Sequence, residues 1–286
     1  MWYTLGAKVW GSMASQGIIQ NQSLHSRALK REMRLCVYLP PRYDDFNLRY
    51  PVVYLLHPWG EDERFWIDRM AFDQMADRLV NPGIVPPFIA VMPQGDKSFF
   101  IDAAQPAGEF ASIVRLDPEH YEDALEGSGK YGEHILEDVI PFVDKHFRTR
   151  RERAGRVIAG VDMGGAGAAA LAFSHPALFG AAGVHSPTLF DEWRAGPPWI
   201  FGLGDREALK QRDPAALVAR LGRSSGLRIY LDCGEDDDMS GPTAHLHQTL
   251  AECGIPHTYI SQPGDHGVGY WAAHLAEYLG FYAGGW

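Results

Sequence analysis

Cysteine is scarce in this chain, and its few cysteines do not suggest a disulfide framework. Cys36, Cys233 and Cys253 are an odd number of thiols at wide spacing in 286 residues. This usage is typical of reduced thiols, so we expect a cytoplasmic protein. Residues 1–17 also lack a basic segment followed by an apolar run, and we therefore predict no signal peptide.

Excess positive charge and long apolar runs are missing as well. The formal net charge is −10, which argues against nucleic acid or an anionic membrane surface as a partner. No stretch approaches the roughly 18 uninterrupted apolar residues that a membrane span needs. The chain has no Walker or dinucleotide fingerprint and no convincing metal-ligand pair, so we expect neither cofactor nor metal.

What the chain does contain is an alternation of short apolar runs and helical periodicity. Hydrophobic residues make up 46% of it, enough for a sizeable core. The alternation predicts one α/β domain over residues 1–286, with a mostly parallel central sheet flanked by helices on both faces. Strands are predicted at 34–39, 52–56, 88–92, 157–161, 181–185, 227–233 and 257–260, and helices at 70–80, 132–147, 166–175, 243–253 and 269–282.

One segment does not fit this alternation. Residues 102–129 are polar, acidic and weakly periodic. We interpret them as an inserted lid, or equally well as a plain surface loop.

A sharp turn between a strand and a helix is predicted around Asp162. Glycines at 160 and 164 let the backbone crowd around one residue, so that its side chain stands exposed above the sheet. This is the nucleophile elbow of the α/β-hydrolase fold, usually G-x-S-x-G. Position 162 carries a carboxylate instead of a serine hydroxyl.

An acid and a histidine follow the elbow in the order that this fold uses. The strand ending at Gly234 leads into acidic residues, of which we choose Asp237, with Asp236 and Asp238 as alternatives. His266 stands in a Gly-rich loop between the last strand and the last helix, from which it can reach the elbow. The acid would hold the other ring nitrogen of His266 and fix its tautomer.

An oxyanion hole would complete the site. One expected donor is the backbone N–H of Met163, and the other is that of Trp59, in the loop after strand 52–56. Such donors stabilise the negative charge that develops on an oxygen in the transition state. Pro58 has no N–H, so a hole that needed a donor at that position would be weakened.

These motifs together resemble the putative-esterase group, which includes S-formylglutathione hydrolase, the antigen 85 mycolyltransferases and feruloyl-esterase domains. The resemblance runs from about residue 24 to the C-terminus and implies the α/β-hydrolase fold and a hydrolase ancestry. Asp162 stands where the family has serine, and Pro58 follows His57 where the family has glycine. The matching stretches are 37–43, 51–57, Asp62-Glu63 with Trp66, 158–165, His175-Pro176 with Leu178-Phe179, 232–234 with Asp237, and Gly264 with His266 and Tyr270-Trp271.

Three interpretations of Asp162 follow. In the first, its carboxylate attacks a saturated carbon of a small organic substrate, and His266 then activates water against the resulting ester. In the second, the chain is a catalytically lapsed esterase homologue with a binding or structural role. In the third, Asp162 is a general base or an orienting group in a non-covalent reaction. The sequence leaves homo-oligomerisation and the substrate open.

Overall fold

A computed structural model of the protein describes residues 15–105, 118–190, 196–202, 205–222 and 225–286. Its centre is one sheet of eight strands: β1 (Ile18–Ser26), β2 (Arg31–Leu39), β3 (Val52–Leu56), β4 (Ile89–Pro93), β5 (Arg156–Val161), β6 (Ala181–His185), β7 (Arg228–Gly234) and β8 (Thr258–Gln262). The spatial order is β1-β2-β4-β3-β5-β6-β7-β8. The pairs β1–β2 and β2–β4 are antiparallel, and all other neighbours are parallel.

Helices connect these strands. They are α1 (Phe65–Asp68), α2 (Phe72–Val80), α3 (Pro118–Gly127), α4 (Tyr131–Glu133), a π-helical stretch at His134–Val139, α5 (Ile140–His146), α6 (Met163–Ser174), α7 (Pro198–Phe201), α8 (Arg206–Lys210), α9 (Pro214–Leu221), α10 (Ser240–Glu252) and α11 (Val268–Ala283). Short 3₁₀ turns lie at Tyr43–Asp45 and Arg153–Gly155.

The two faces of the sheet carry separate hydrophobic cores. Every residue of β3, β4, β5 and β6 is buried, as expected for parallel strands covered on both sides. Successive side chains of a strand point to opposite faces. On β3, for example, Tyr54 packs in the core that contains α6, and Val53 packs in the core that contains α2 and α11.

The predicted fold class is confirmed, and the predicted strands and long helices are present within a few residues of their expected ends. The sequence pattern does not predict strand β1, because its sequence, IIQNQSLHS, is mostly polar and it lies at the sheet edge. Of the expected lid or loop at 102–129, residues 106–117 lie outside the described ranges. Within the remainder, Pro118–Gly127 forms a helix rather than a loop.

Two further observations concern membrane-spanning helices and the cysteines. Within the described ranges, no helix is long and apolar enough to cross a membrane. Cys36 and Cys233 are buried free thiols, and Cys253 is half-buried.

Candidate active site

The turn between β5 and α6 has the geometry of a nucleophile elbow. Asp162 adopts φ 55° and ψ −120°, a conformation that non-glycine residues rarely adopt and that the surrounding structure must enforce. A Cβ atom on Gly160 would lie 2.4 Å from the backbone of Gly164, and one on Gly164 would lie 2.3 Å from the carbonyl oxygen of Leu56. Only glycine allows this close approach, so both positions hold Asp162 at the tip of the turn.

Both oxygens of the Asp162 carboxylate contact donors of the protein. Oδ2 accepts a hydrogen bond of 2.8 Å from the backbone N–H of Trp59. Oδ1 accepts one from the hydroxyl of Thr188 and lies 3.5 Å from Nε2 of His266. The side chain of Asp162 is only 12% exposed, so these contacts replace most of its hydration.

The expected acid and histidine meet at this carboxylate. Nδ1 of His266 lies 2.9 Å from Oδ2 of Asp237, and the ring packs edge-on against Trp271. Asp237 also accepts a 2.7 Å hydrogen bond from the Met239 N–H, and its side chain is fully buried. The structure therefore brings Asp162, His266 and Asp237 into one row, whereas Asp236 and Asp238 are exposed.

The charges of Asp162, His266 and Asp237 shift one another's pKa values. Burial acts to lower the pKa of His266, but its hydrogen bonds and ion pairs with Asp162 and Asp237 outweigh burial and raise that pKa to about 10. Burial acts to raise the pKa of Asp162, but contacts with His266, Thr188 and Trp59 hold it below its ordinary value. At neutral pH the resting site is thus an imidazolium between two carboxylates.

The two expected oxyanion-hole donors have different partners. The Trp59 N–H is bonded to Asp162 itself. The N–H of Met163 belongs to the first residue of α6, and no hydrogen-bond acceptor for it is found among the described residues. The positive end of this helix favours a negative charge at position 162.

The peptide unit between Pro58 and Trp59 is held by His57. Nε2 of His57 accepts the Gly95 N–H at 2.9 Å, so Nδ1 carries the proton and donates to the Pro58 carbonyl oxygen at 2.9 Å. The C=O and N–H of a trans peptide point in opposite directions. Holding the Pro58 carbonyl therefore aims the Trp59 N–H at Asp162.

This role predicts acid sensitivity. Burial lowers the pKa of His57 from 6.5 to about 4, so between these values the unfolded chain binds a proton that the folded protein excludes. Stability should fall as the pH drops through this range, by about 3 kcal/mol from this group alone. We expect His57→Gln to flatten this part of the stability–pH curve in urea unfolding. His25→Gln, at an exposed position, is the control and should keep the wild-type slope; equal slopes in all three proteins would contradict the prediction.

Sequence reasoning missed three contacts at this site. Thr188 contacts Asp162, the Met239 N–H contacts Asp237, and Trp271 packs on His266. The Asp237–Met239 contact joins an aspartate to the N–H two residues on, a local turn that the sequence allows. Thr188 follows the end of β6, the neighbour of β5, and this position is the only signal for it in the sequence.

The family of the chain follows from comparison with known proteins. The model of a family described as "Putative esterase" matches residues 26–282. The chain belongs to this family. Over 250 residues it is 29% identical to an endo-1,4-beta-xylanase/feruloyl esterase of Xylanibacter ruminicola. That match covers 84% of this chain but only 30% of the relative, so the chain spans less than a third of that relative's length.

Solved structures of related fold support the assignment of the architecture. A ferulic acid esterase superposes with a TM-score of 0.76 at 22% identity, covering 94% of this chain and 98% of the other. An S-formylglutathione hydrolase from Agrobacterium tumefaciens superposes with a TM-score of 0.74 at 20% identity, covering 96% and 97%. These two enzymes share the fold found here, and the resemblance to the putative-esterase group that was inferred from the sequence is confirmed.

Proposed function

We propose that this protein is a hydrolase of small organic substrates in which Asp162 is the nucleophile, His266 the base for the second step and Asp237 the acid that holds His266. The observation that carries this proposal is the 2.8 Å hydrogen bond from the Trp59 N–H to Asp162 Oδ2. It anchors Oδ2 of an ionised carboxylate, and we assign the attack to Oδ1, which contacts the Thr188 hydroxyl and His266 Nε2.

The first step is a displacement at a saturated carbon. A lone pair of Asp162 Oδ1 forms a bond to that carbon, and the bond from carbon to the leaving atom breaks with its electron pair on the leaving atom. An alkyl halide or an epoxide fits this chemistry. Attack on an ordinary carboxylic ester would instead give an anhydride, which is a poor intermediate, so the proposed substrates differ from those of a serine esterase.

The second step hydrolyses the ester and regenerates the free enzyme. Ester formation removes the negative charge of Asp162, and with it one of the two charges that raise the pKa of His266. His266 can then lose its proton, to solvent or to the oxygen of an opened epoxide. The neutral ring takes a proton from water as the water attacks the Asp162 carbonyl carbon. The charge that develops on Oδ2 lies at the Trp59 N–H, with Met163 as the second donor. The intermediate collapses and releases the alcohol, whose oxygen takes the proton from His266. The Asp162 carboxyl group then passes the remaining proton of the water to His266, which restores the carboxylate and the imidazolium.

A labelling experiment tests this mechanism. The wild-type protein is mixed with less than one equivalent of an epoxide or an alkyl bromide in heavy-oxygen water, and the peptide that contains Asp162 is analysed by mass spectrometry. We expect heavy oxygen in the Asp162 carboxyl group and normal oxygen in the alcohol product. Heavy oxygen in the product alone would overturn the covalent step, since water would then have attacked the substrate directly. Asp162→Asn is the control for background exchange.

The second candidate function is that of a catalytically lapsed homologue with a binding or structural role. One observation favours it: in the resting site both oxygens of Asp162 are engaged with protein groups, and the Trp59 N–H is not open to the oxygen of a substrate carbonyl. Under this alternative the labelling experiment gives no product and no exchange with any substrate.

A further inference from the structure

Thr188 contacts Asp162 through both its main chain and its side chain. The Thr188 N–H donates to the Asp162 carbonyl oxygen at 3.1 Å, and the Thr188 hydroxyl donates to Asp162 Oδ1. The residue is half-buried. The same residue therefore fixes the backbone of the elbow and one oxygen of its carboxylate.

The loop after β6 is shaped to make this contact. Ser186 directly follows β6 with φ 40°, a left-handed conformation that is uncommon for serine and turns the chain sharply. Its N–H donates to the Asp232 carbonyl oxygen of the neighbouring strand β7 at 2.8 Å. Pro187 follows and restricts the backbone further. The chain thus returns over the elbow at Thr188.

Thr188 also borders an apolar recess. Its walls include Phe99, Leu189, Phe190 and Phe201, and the rings of Phe99, Phe190 and Phe201 pack against one another. Thr188 therefore lies between Asp162 Oδ1 and this recess. The other oxygen, Oδ2, accepts the Trp59 N–H.

From these contacts we infer that Thr188 is a positioning residue for Asp162, which sets the plane of the carboxylate and selects Oδ1 as the atom that attacks. This inference rests on the proposed function. With Trp59 on Oδ2 and Thr188 on Oδ1, rotation of the carboxylate requires both hydrogen bonds to break. Neither bond transfers a proton, so Thr188 acts through Asp162 and not on the substrate.

The test compares Thr188→Val, which keeps the shape but loses the hydroxyl, with Thr188→Ser, which keeps the hydroxyl. In a His266→Gln background, where the ester should accumulate, the rate of Asp162 alkylation by an epoxide is followed by intact mass. We expect a loss of roughly tenfold or more for the valine variant and recovery of most of that rate in the serine variant. Thr258→Val, at an exposed position of β8, is the control for a Thr-to-Val change. In the same background, its Asp162 should be alkylated as fast as in the His266→Gln protein alone.

A second measurement does not depend on catalysis. The titration of the Asp162 carboxyl carbon is followed by NMR, assigned with Asp162→Asn. Loss of a donor to the ionised form should raise the pKa of Asp162 in Thr188→Val and not in Thr188→Ser. An unchanged alkylation rate and titration in the valine variant would overturn the inference. Absence of ester in every variant would instead overturn the proposed function, while a shifted titration would still identify Thr188 as the group that holds the carboxylate.

Discussion

His266→Gln should stop turnover and leave the alkyl ester on Asp162. Glutamine cannot take a proton from water, so the second step loses its base and should slow by roughly a thousandfold. The first step does not need a base because the Asp162 carboxylate is already ionised, its pKa lying below the ordinary value. The measurement is intact mass after mixing the variant with an epoxide or an alkyl bromide, and the expected result is a stoichiometric gain equal to the alkyl group.

Two matched variants make this result specific. Asp162→Asn lacks the proposed nucleophile and should gain no mass with the same reagents. Asp237→Asn keeps His266 but removes the carboxylate that orients its ring, so alkylation should continue and the release of alcohol should slow without being abolished. Rapid release of alcohol by His266→Gln, with no accumulated ester, would show that a group other than His266 activates the water.

The elbow could be predicted from sequence because its determinants are local. Gly160 and Gly164 flank Asp162 at a fixed spacing, and their lack of a side chain is required by contacts within the same turn and with the adjacent β3. The order of nucleophile, acid and histidine is likewise a property of the chain. Local spacing and chain order are therefore enough to predict that Asp162 and His266 share one site.

The choice of the acid and the contact from Thr188 depended on three-dimensional structure. Asp236, Asp237 and Asp238 are chemically identical, and only the turn after β7 decides that Asp237 is buried while the other two are exposed. Thr188 reaches Asp162 because β6 lies beside β5 and because Ser186 turns the chain. Neither the strand order nor a left-handed serine is encoded in a short sequence pattern.

The buried pair of His185 and Asp232 is another contact that no short sequence pattern predicts. His185 is the last residue of the predicted strand 181–185 and of β6, and the register of β6 with β7 places it opposite Asp232. Its Nδ1 lies 2.5 Å from the Asp232 carboxylate, and the other carboxylate oxygen accepts the hydroxyls of Tyr270 and Tyr278. This polar network joins two interior strands of the sheet to α11, and it is defined by strand register and not by spacing along the chain.

Asp162→Ser should convert the protein into an esterase for aryl acetates. Serine cannot reach the Trp59 N–H as Asp162 Oδ2 does, so this donor becomes available to the carbonyl oxygen of a substrate, together with the Met163 N–H. One such donor typically contributes roughly 2.7–4 kcal/mol to the transition state. We therefore expect Asp162→Ser to hydrolyse aryl acetates about a hundredfold faster than the wild-type protein, or more, which is the rate effect that one such donor typically has.

The same substitution changes the charge of His266, and its pH profile distinguishes the interpretations of this site. Without the Asp162 carboxylate, the pKa of His266 should fall below its wild-type value of about 10, because one of the two raising charges is gone. Hydrolysis by the serine variant needs the neutral imidazole, so its rate should rise with pH through this lowered pKa. If the serine variant is active and the wild-type protein is alkylated on Asp162, then the same His266, Asp237 and backbone donors serve either nucleophile. If the serine variant folds normally but is inactive, and the wild-type protein is neither an esterase nor alkylated on Asp162, then Pro58 or the pocket has disabled the site and the binding role is favoured.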